Sequence, residues 1–271
     1  MGINIEPLTK DIGAEISGID LSEPLSPEDY RGIRQALLDH LVIFFRDQRL
    51  TPGQHMQLGA AFGPLHIHPS APCVDDTPEL MKIHADADSP FADGTTWHTD
   101  MSCDLEPPMG SLLHLTEVPD IGGDTLFASM YAAYDALSET MRGILDPLDA
   151  VHSYDTNVGR YEQIGGAKRA EYQRNIHPVV RTHPETGRKC LFVNKPFTNS
   201  IVGLSKAESD ALLNFLFEHC ANPQFQCRFR WQHNSLAFWD NRCVHHHATW
   251  DYYPQTRSGI RVTVKGDRPY R

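Results

Sequence analysis

Apolar residues along the chain fall in short runs broken by glycine, proline and acidic turns. Ile12-Gly13-Ala14-Glu15-Ile16-Ser17-Gly18-Ile19-Asp20-Leu21 alternates apolar and small or polar positions, which predicts a strand with breaks. Ser26-Pro27-Glu28-Asp29 then carries a cap residue, a proline at the first helical position and two acids, so a helix is expected from there to about His40. Leu41-Val42-Ile43-Phe44-Phe45 has the length of a buried strand, and Thr51-Pro52-Gly53-Gln54 starts a second helix that Gly63-Pro64 closes. From Leu65 to about Thr96 the chain is rich in Pro, Asp, Ser and Ala around one short strand, Leu80–His84. A connection this long inside a compact domain is expected to be an active-site lid, at about 66–96.

Further strands are predicted at Ser111–Leu115, Asp124–Ala128, Val179–Thr182, Lys189–Val193, Gln226–Trp231, Ser235–Trp239 and Gly259–Val264. Helices are predicted at Met130–Leu137, Glu139–Leu145 and Lys206–His219, with a polar, mobile segment at about 155–175. Many short strands with Gly/Pro turns and few helices indicate a mainly β protein with flanking helices, of the sandwich or barrel kind. No repeat or linker divides residues 1–271, so one domain is expected.

Composition narrows the partners. With 24 Lys+Arg against 35 Asp+Glu the net charge is −11, and no basic cluster offers counterion release to a nucleic acid. No apolar run approaches the ~20 residues of a membrane helix, and the N-terminus has neither the basic start nor the apolar middle of a secretory signal. Six cysteines without a C-x-x-C pair read as free thiols, so a cytoplasmic location is expected. The 15 histidines stand out, because neutral imidazole is the commonest metal ligand.

In Thr96-Trp97-His98-Thr99-Asp100 an imidazole and a carboxylate stand two positions apart, and on a strand both would face one side. A histidine run, His245-His246-His247, follows Trp239-Asp240-Asn241-Arg242 far downstream. Two histidines and a carboxylate on one face of a metal define the non-heme Fe(II) site, although zinc accepts the same donors. H-x-D alone is common by chance. Arg257 and Arg261, four apart on an expected strand, can both face inward, where a buried guanidinium requires an anion; a surface ion pair is the alternative.

Taken in order, His98-Thr99-Asp100, Gly122-Gly123-Asp124-Thr125, Trp239-Asp240-Asn241-Arg242 with the histidine run, and Arg257 with Arg261 resemble the taurine dioxygenase family of Fe(II)/2-oxoglutarate-dependent oxygenases. The resemblance extends over nearly the whole chain. It implies a double-stranded β-helix, a cupin-like jelly-roll barrel. It assigns His98, Asp100 and His246 to the metal, and Thr125 with Arg257 to the distal carboxylate of 2-oxoglutarate, with Trp239 packed under that site. The implied cofactors are Fe(II), 2-oxoglutarate and O2, and the implied reaction couples release of succinate and CO2 to hydroxylation of a substrate C–H. No catalytic side chain beyond the metal centre is needed. His68 and Arg261 match the residues that hold the substrate's sulfonate, so a small anionic organic substrate is implied. Ala71, Gly94, Cys103 and Val158 replace bulkier or polar pocket residues, which predicts a roomier pocket than one built for taurine. Alkyl sulfates and aryloxyalkanoates are alternatives on the same scaffold, and the family suggests a dimer or tetramer. From other classes, a zinc hydrolase leaves Thr125 with Arg257 unexplained, and a non-catalytic metal-binding barrel is the second rival.

Overall fold

A computed structural model describes residues 3–155, 161–166 and 173–271. Its largest sheet has nine strands. In spatial order Asn4–Pro7, Ala14–Ser17, Val42–Phe45, Ser235–Asp240, Gly110–Glu117, Arg257–Val264, Thr77–Ala85 and Cys73–Val74 lie side by side, and Leu65–His66 pairs with the end of Arg257–Val264. A three-stranded sheet places Thr125–Ser129 between Gln226–Phe229 and Val244–Ala248. Smaller sheets join Arg174–Pro178, Asp149–Ser153 and Thr198–Ile201, and Val180–Thr182 with Lys189–Leu191.

The run Val42–Phe45 is buried at every position, and the period of two explains why. Val42 and Phe44 join one core with Phe127, Phe229, Ala237 and Trp239, between the large sheet and the three-stranded one. Ile43 and Phe45 join another with Ile33, Leu37 and Leu58, under the helices Pro27–His40 and Pro52–Ala60. Both helices begin where expected. Ser26 and Thr51 accept from the backbone N–H of Asp29 and Gln54, whose side chains return the bond. The fold is therefore β-rich with flanking helices, and among the described residues the hydrogen-bonded ladders do not close into a barrel.

Several expectations need correction. The strand around Leu80–His84 spans Thr77–Ala85, so the segment 66–96 contains regular structure. The broken strand Ile12–Leu21 reduces to Ala14–Ser17. Strands at Asn4–Pro7, Asp149–Ser153 and Thr198–Ile201 were not expected, and the helix after Met130 ends at Asp135. Of the polar segment 155–175, much lies outside the described residues, while Tyr161–Ile164 forms a 3-10 turn and Arg174 begins a strand.

Candidate active site

His98 and Asp100 do converge, but not as neighbours on a strand. His98 makes a single antiparallel bridge with His246, its N–H donating to the His246 carbonyl at 3.1 Å and the return bond measuring 2.7 Å. The chain then leaves the bridge in a turn through Asp100, with Met101 at a φ of 44°. That bend, rather than strand parity, brings the carboxylate back. Nε2 of His98 and Nε2 of His246 each lie 3.8 Å from Asp100 Oδ1. The donor atoms of the three residues sit within 4.8 Å of one another. Nδ1 of His98 donates to the Thr96 carbonyl at 2.7 Å, so its proton is there and Nε2 carries the free lone pair.

Electrostatics favour the ligating forms. Burial drives the His246 pKa well below its ordinary value, keeping the ring neutral. Burial alone raises that of Asp100, but the Arg261 guanidinium and the Ser111 hydroxyl overcome it and hold the carboxyl well below the usual range. Two imidazoles and one carboxylate suit a divalent metal that retains open positions. Parity does hold in the strand Val244–Ala248: His246 faces the triad while His247 packs on Trp97 at 5.5 Å.

Arg257 is 5% exposed and finds only neutral partners. Its Nε donates to the Gly123 carbonyl at 3.0 Å and its Nη2 to Thr125 Oγ1 at 3.2 Å. Gly123, at a φ of 68°, is needed here, since a Cβ would stand 3.2 Å from Arg257 Cδ. Burial depresses the Arg257 pKa to about 10. Thr125 Oγ1 also accepts from Trp231 Nε1 at 2.9 Å, so its two lone pairs are taken and its own proton needs an acceptor. A cation and a hydroxyl proton thus share one buried spot, and among the described residues no carboxylate pairs with either: the nearby Asp124 carboxylate is bonded to Arg228 and acts on Arg257 only through space. Arg261 is also buried but donates to Asp100 Oδ1 at 2.8 Å.

A cavity of about 310 Å³ is lined by His68, Gly94, His98, Asp100, Tyr161 and Arg261 among others. The His68 ring is held as a donor. Its Nδ1 accepts the backbone N–H groups of Ser70 at 3.2 Å and Ala71 at 2.9 Å, leaving the proton on Nε2. Burial lowers its pKa to about 3, so it stays neutral.

Compared with known proteins, the chain matches the taurine catabolism dioxygenase TauD, TfdA family over residues 4–263. It is 35% identical to an alpha-ketoglutarate-dependent sulfonate dioxygenase of Saccharomyces cerevisiae, over 98% of this chain and 68% of that protein. It is 34% identical to an alpha-ketoglutarate-dependent sulfate ester dioxygenase of Pseudomonas putida, over 98% and 91%. The chain belongs to the TauD/TfdA dioxygenase family. A taurine dioxygenase structure from Burkholderia xenovorans superposes with a TM-score of 0.85 at 38% identity, covering 99% of this chain and 93% of that one. This TauD/TfdA protein is therefore an alpha-ketoglutarate (2-oxoglutarate) dependent dioxygenase.

Within this TauD/TfdA dioxygenase, His68, Gly94 and Arg261 reach the cavity, whereas Ala71 and Cys103 pack in the apolar cluster behind it with Tyr154, Tyr161 and Phe197. Val158 lies outside the described residues. Trp239 packs on the His246 ring at 4.7 Å and on Phe127 at 5.7 Å, and its Nε1 donates to Asn241 Oδ1. No motif or spacing points to Trp231, which braces Thr125 and lies 5.4 Å from the Arg257 guanidinium carbon. A second group, His183, Asp240 and Cys243, also brings metal-ligating atoms together. There both Asp240 oxygens are occupied by Arg242, at 2.8 and 2.6 Å, and one by His183 at 3.1 Å, which makes it a buried ion-pair network.

Proposed function

We propose that this dioxygenase binds Fe(II) through His98, Asp100 and His246 and anchors the distal carboxylate of 2-oxoglutarate on Arg257 and Thr125. It hydroxylates the C–H beside the heteroatom of a small organic sulfonate and releases succinate and CO2. The observation that carries the co-substrate assignment is the pair of buried donors, Arg257 and Thr125, with no carboxylate among the described residues paired to them. An anionic head group on the substrate follows from the His68 N–H donor and the Arg261 guanidinium lining the cavity that also contains two of the three proposed ligands. Charge-assisted bonds from both suit a sulfonate or a sulfate.

Bound iron and O2 supply the oxidation. The chain's own part is to position and to exclude water. Arg257 and Thr125 fix one end of the co-substrate, His68 and Arg261 fix the substrate's head, and Tyr154, Tyr161 and Phe197 form an apolar wall against solvent. Trp239 supports the ring of His246. No side chain has to take a proton from carbon. We place the segment 66–96, which brings His68 and Gly94 to the cavity, as the active-site lid, and residues 1–271 as one double-stranded β-helix domain acting as a dimer or tetramer.

The pocket favours a substrate larger than taurine, since a cavity of about 310 Å³ left partly unfilled binds a small ligand weakly. Alkyl sulfates are the second reading, favoured by the same two donors. A panel of sulfonates, alkyl sulfates and aryloxy acids, followed by succinate release, tests this. A bulky sulfonate should give the highest kcat/KM; taurine as the best substrate overturns the roomier pocket.

A further inference from the structure

The Asp100 carboxylate has two oxygens, and the structure treats them differently. Oδ1 faces both imidazoles and Arg261, whereas Oδ2 accepts the Ser111 hydroxyl at 2.7 Å. The direction of that bond is fixed by a chain of donors. Asn241 Oδ1 lies 2.9 Å from Trp239 Nε1 and 3.3 Å from the Asp100 backbone N, both of which can only donate, so the oxygen of this amide must point there. Its Nδ2 therefore points the other way and donates to Ser111 Oγ at 3.0 Å. With that lone pair filled, the single Ser111 proton goes to the ionised carboxylate at 2.7 Å rather than to Thr263 Oγ1 at 3.3 Å.

The anchorage of this relay is rigid. Ser111 is fully buried in the middle of the large sheet, directly opposite Trp239 on one side and Thr263 on the other. Asn241 occupies the turn between the strands Ser235–Asp240 and Val244–Ala248, and Thr99 Oγ1 donates to its carbonyl at 2.6 Å. Asp100 itself stands in a turn, where the backbone alone would leave its side chain free to rotate.

We propose that Ser111, aimed by Asn241, is a positioning residue that ties down Asp100 Oδ2 so that Oδ1 is the oxygen offered to the bound metal. The inference rests on reading His98, Asp100 and His246 as the metal site. Hydrogen bonds to a ligating carboxylate reduce the cost of ordering it at the moment of binding. Their loss weakens metal affinity even where the fold is intact.

The test is a titration with Co(II) as the probe, under conditions where no co-substrate or substrate is present, with thermal denaturation run beside it. Ser111→Ala removes the donor. Ser111→Cys keeps similar size but donates weakly, and serves if the alanine variant does not fold. Thr263→Val, which removes only the longer contact, is the control. The expected result is a Co(II) Kd raised about tenfold to a hundredfold in a folded Ser111 variant, with Thr263→Val like the unmodified protein. A folded Ser111→Ala or Ser111→Cys protein with unchanged Kd overturns the inference. Failure of the underlying reading looks different: Co(II) binding that survives His98→Ala shows that the triad is not the metal site at all.

Discussion

Replacing Arg257 by methionine should separate stability from co-substrate binding in opposite directions. In the unliganded protein the guanidinium is buried and hydrogen-bonded only to neutral groups, and burial lowers its pKa from the ordinary guanidinium value to about 10. That drop corresponds to about 3 kcal/mol of charge-burial cost. The sign follows from linkage: the penalty is present in full below pH 10 and is relieved only as pH rises from there toward the ordinary guanidinium value. Measurements at pH 7 to 8 therefore see all of it. Methionine removes the charge but leaves the Gly123 carbonyl without its donor, which returns about 1–3 kcal/mol. The variant without ligands should thus be as stable as the unmodified protein or more stable. Its 2-oxoglutarate affinity should fall at least tenfold, because a charge-assisted bond contributes about 1.5–3 kcal/mol. Anaerobic thermal denaturation with Fe(II), with and without 2-oxoglutarate, reads both quantities. At a ligand concentration of about 100 Kd the unmodified protein gains about 2.7 kcal/mol. A hundredfold weaker variant gains only about 0.4 kcal/mol at the same concentration. The reasoning fails if Arg257→Met is destabilised by more than about 3 kcal/mol while its response to 2-oxoglutarate is unchanged.

Trp231→Phe removes the Nε1 donor to Thr125 and should raise KM for 2-oxoglutarate severalfold with kcat little changed, as steady-state kinetics would show. Gly94 has a φ of 78° and an added Cβ would stand 3.4 Å from His98 Cε1, so Gly94→Ala should lower Tm through about 1–2 kcal/mol of backbone strain and weaken Co(II) binding. His55, His68, His152 and His245 all have pKa values lowered by burial to about 3, so they are neutral when folded but take up protons when unfolded below pH 6.5. Stability should therefore fall between pH 6.5 and about 3, by up to about 1.4 kcal/mol per pH unit for each such residue. Urea denaturation at pH 7 and pH 5 checks this, and equal stability at the two contradicts it.

The candidate site was legible where its chemistry lies in local spacing. His98 and Asp100 stand two apart, Arg257 and Arg261 four apart, and the strand Arg257–Val264 does bury both arginines on one face. His98 and Asp100 nonetheless do not share a strand, because a bridge and a turn bring them together. Cap chemistry placed the starts of the helices at Pro27 and Pro52 for the same local reason. What escaped was long-range. Trp231 meets Thr125 across 106 positions of sequence and Ser111 meets Thr263 across 152, and no periodicity encodes such contacts. The strand Thr198–Ile201 is too short and too polar to show a pattern before its partner Asp149–Ser153 is known.

The proposed site holds Fe(II) on His98, Asp100 and His246 next to an anchorage for 2-oxoglutarate on Arg257 and Thr125. Anaerobic addition of Fe(II) and 2-oxoglutarate, followed by visible absorption, tests it most directly. The expected result is the weak charge-transfer band of a chelated keto acid in the unmodified protein, its loss in His98→Ala, and its recovery in Arg257→Met only at higher 2-oxoglutarate concentration. A folded, unmodified protein that gives no band, or a band that persists in His98→Ala, contradicts it.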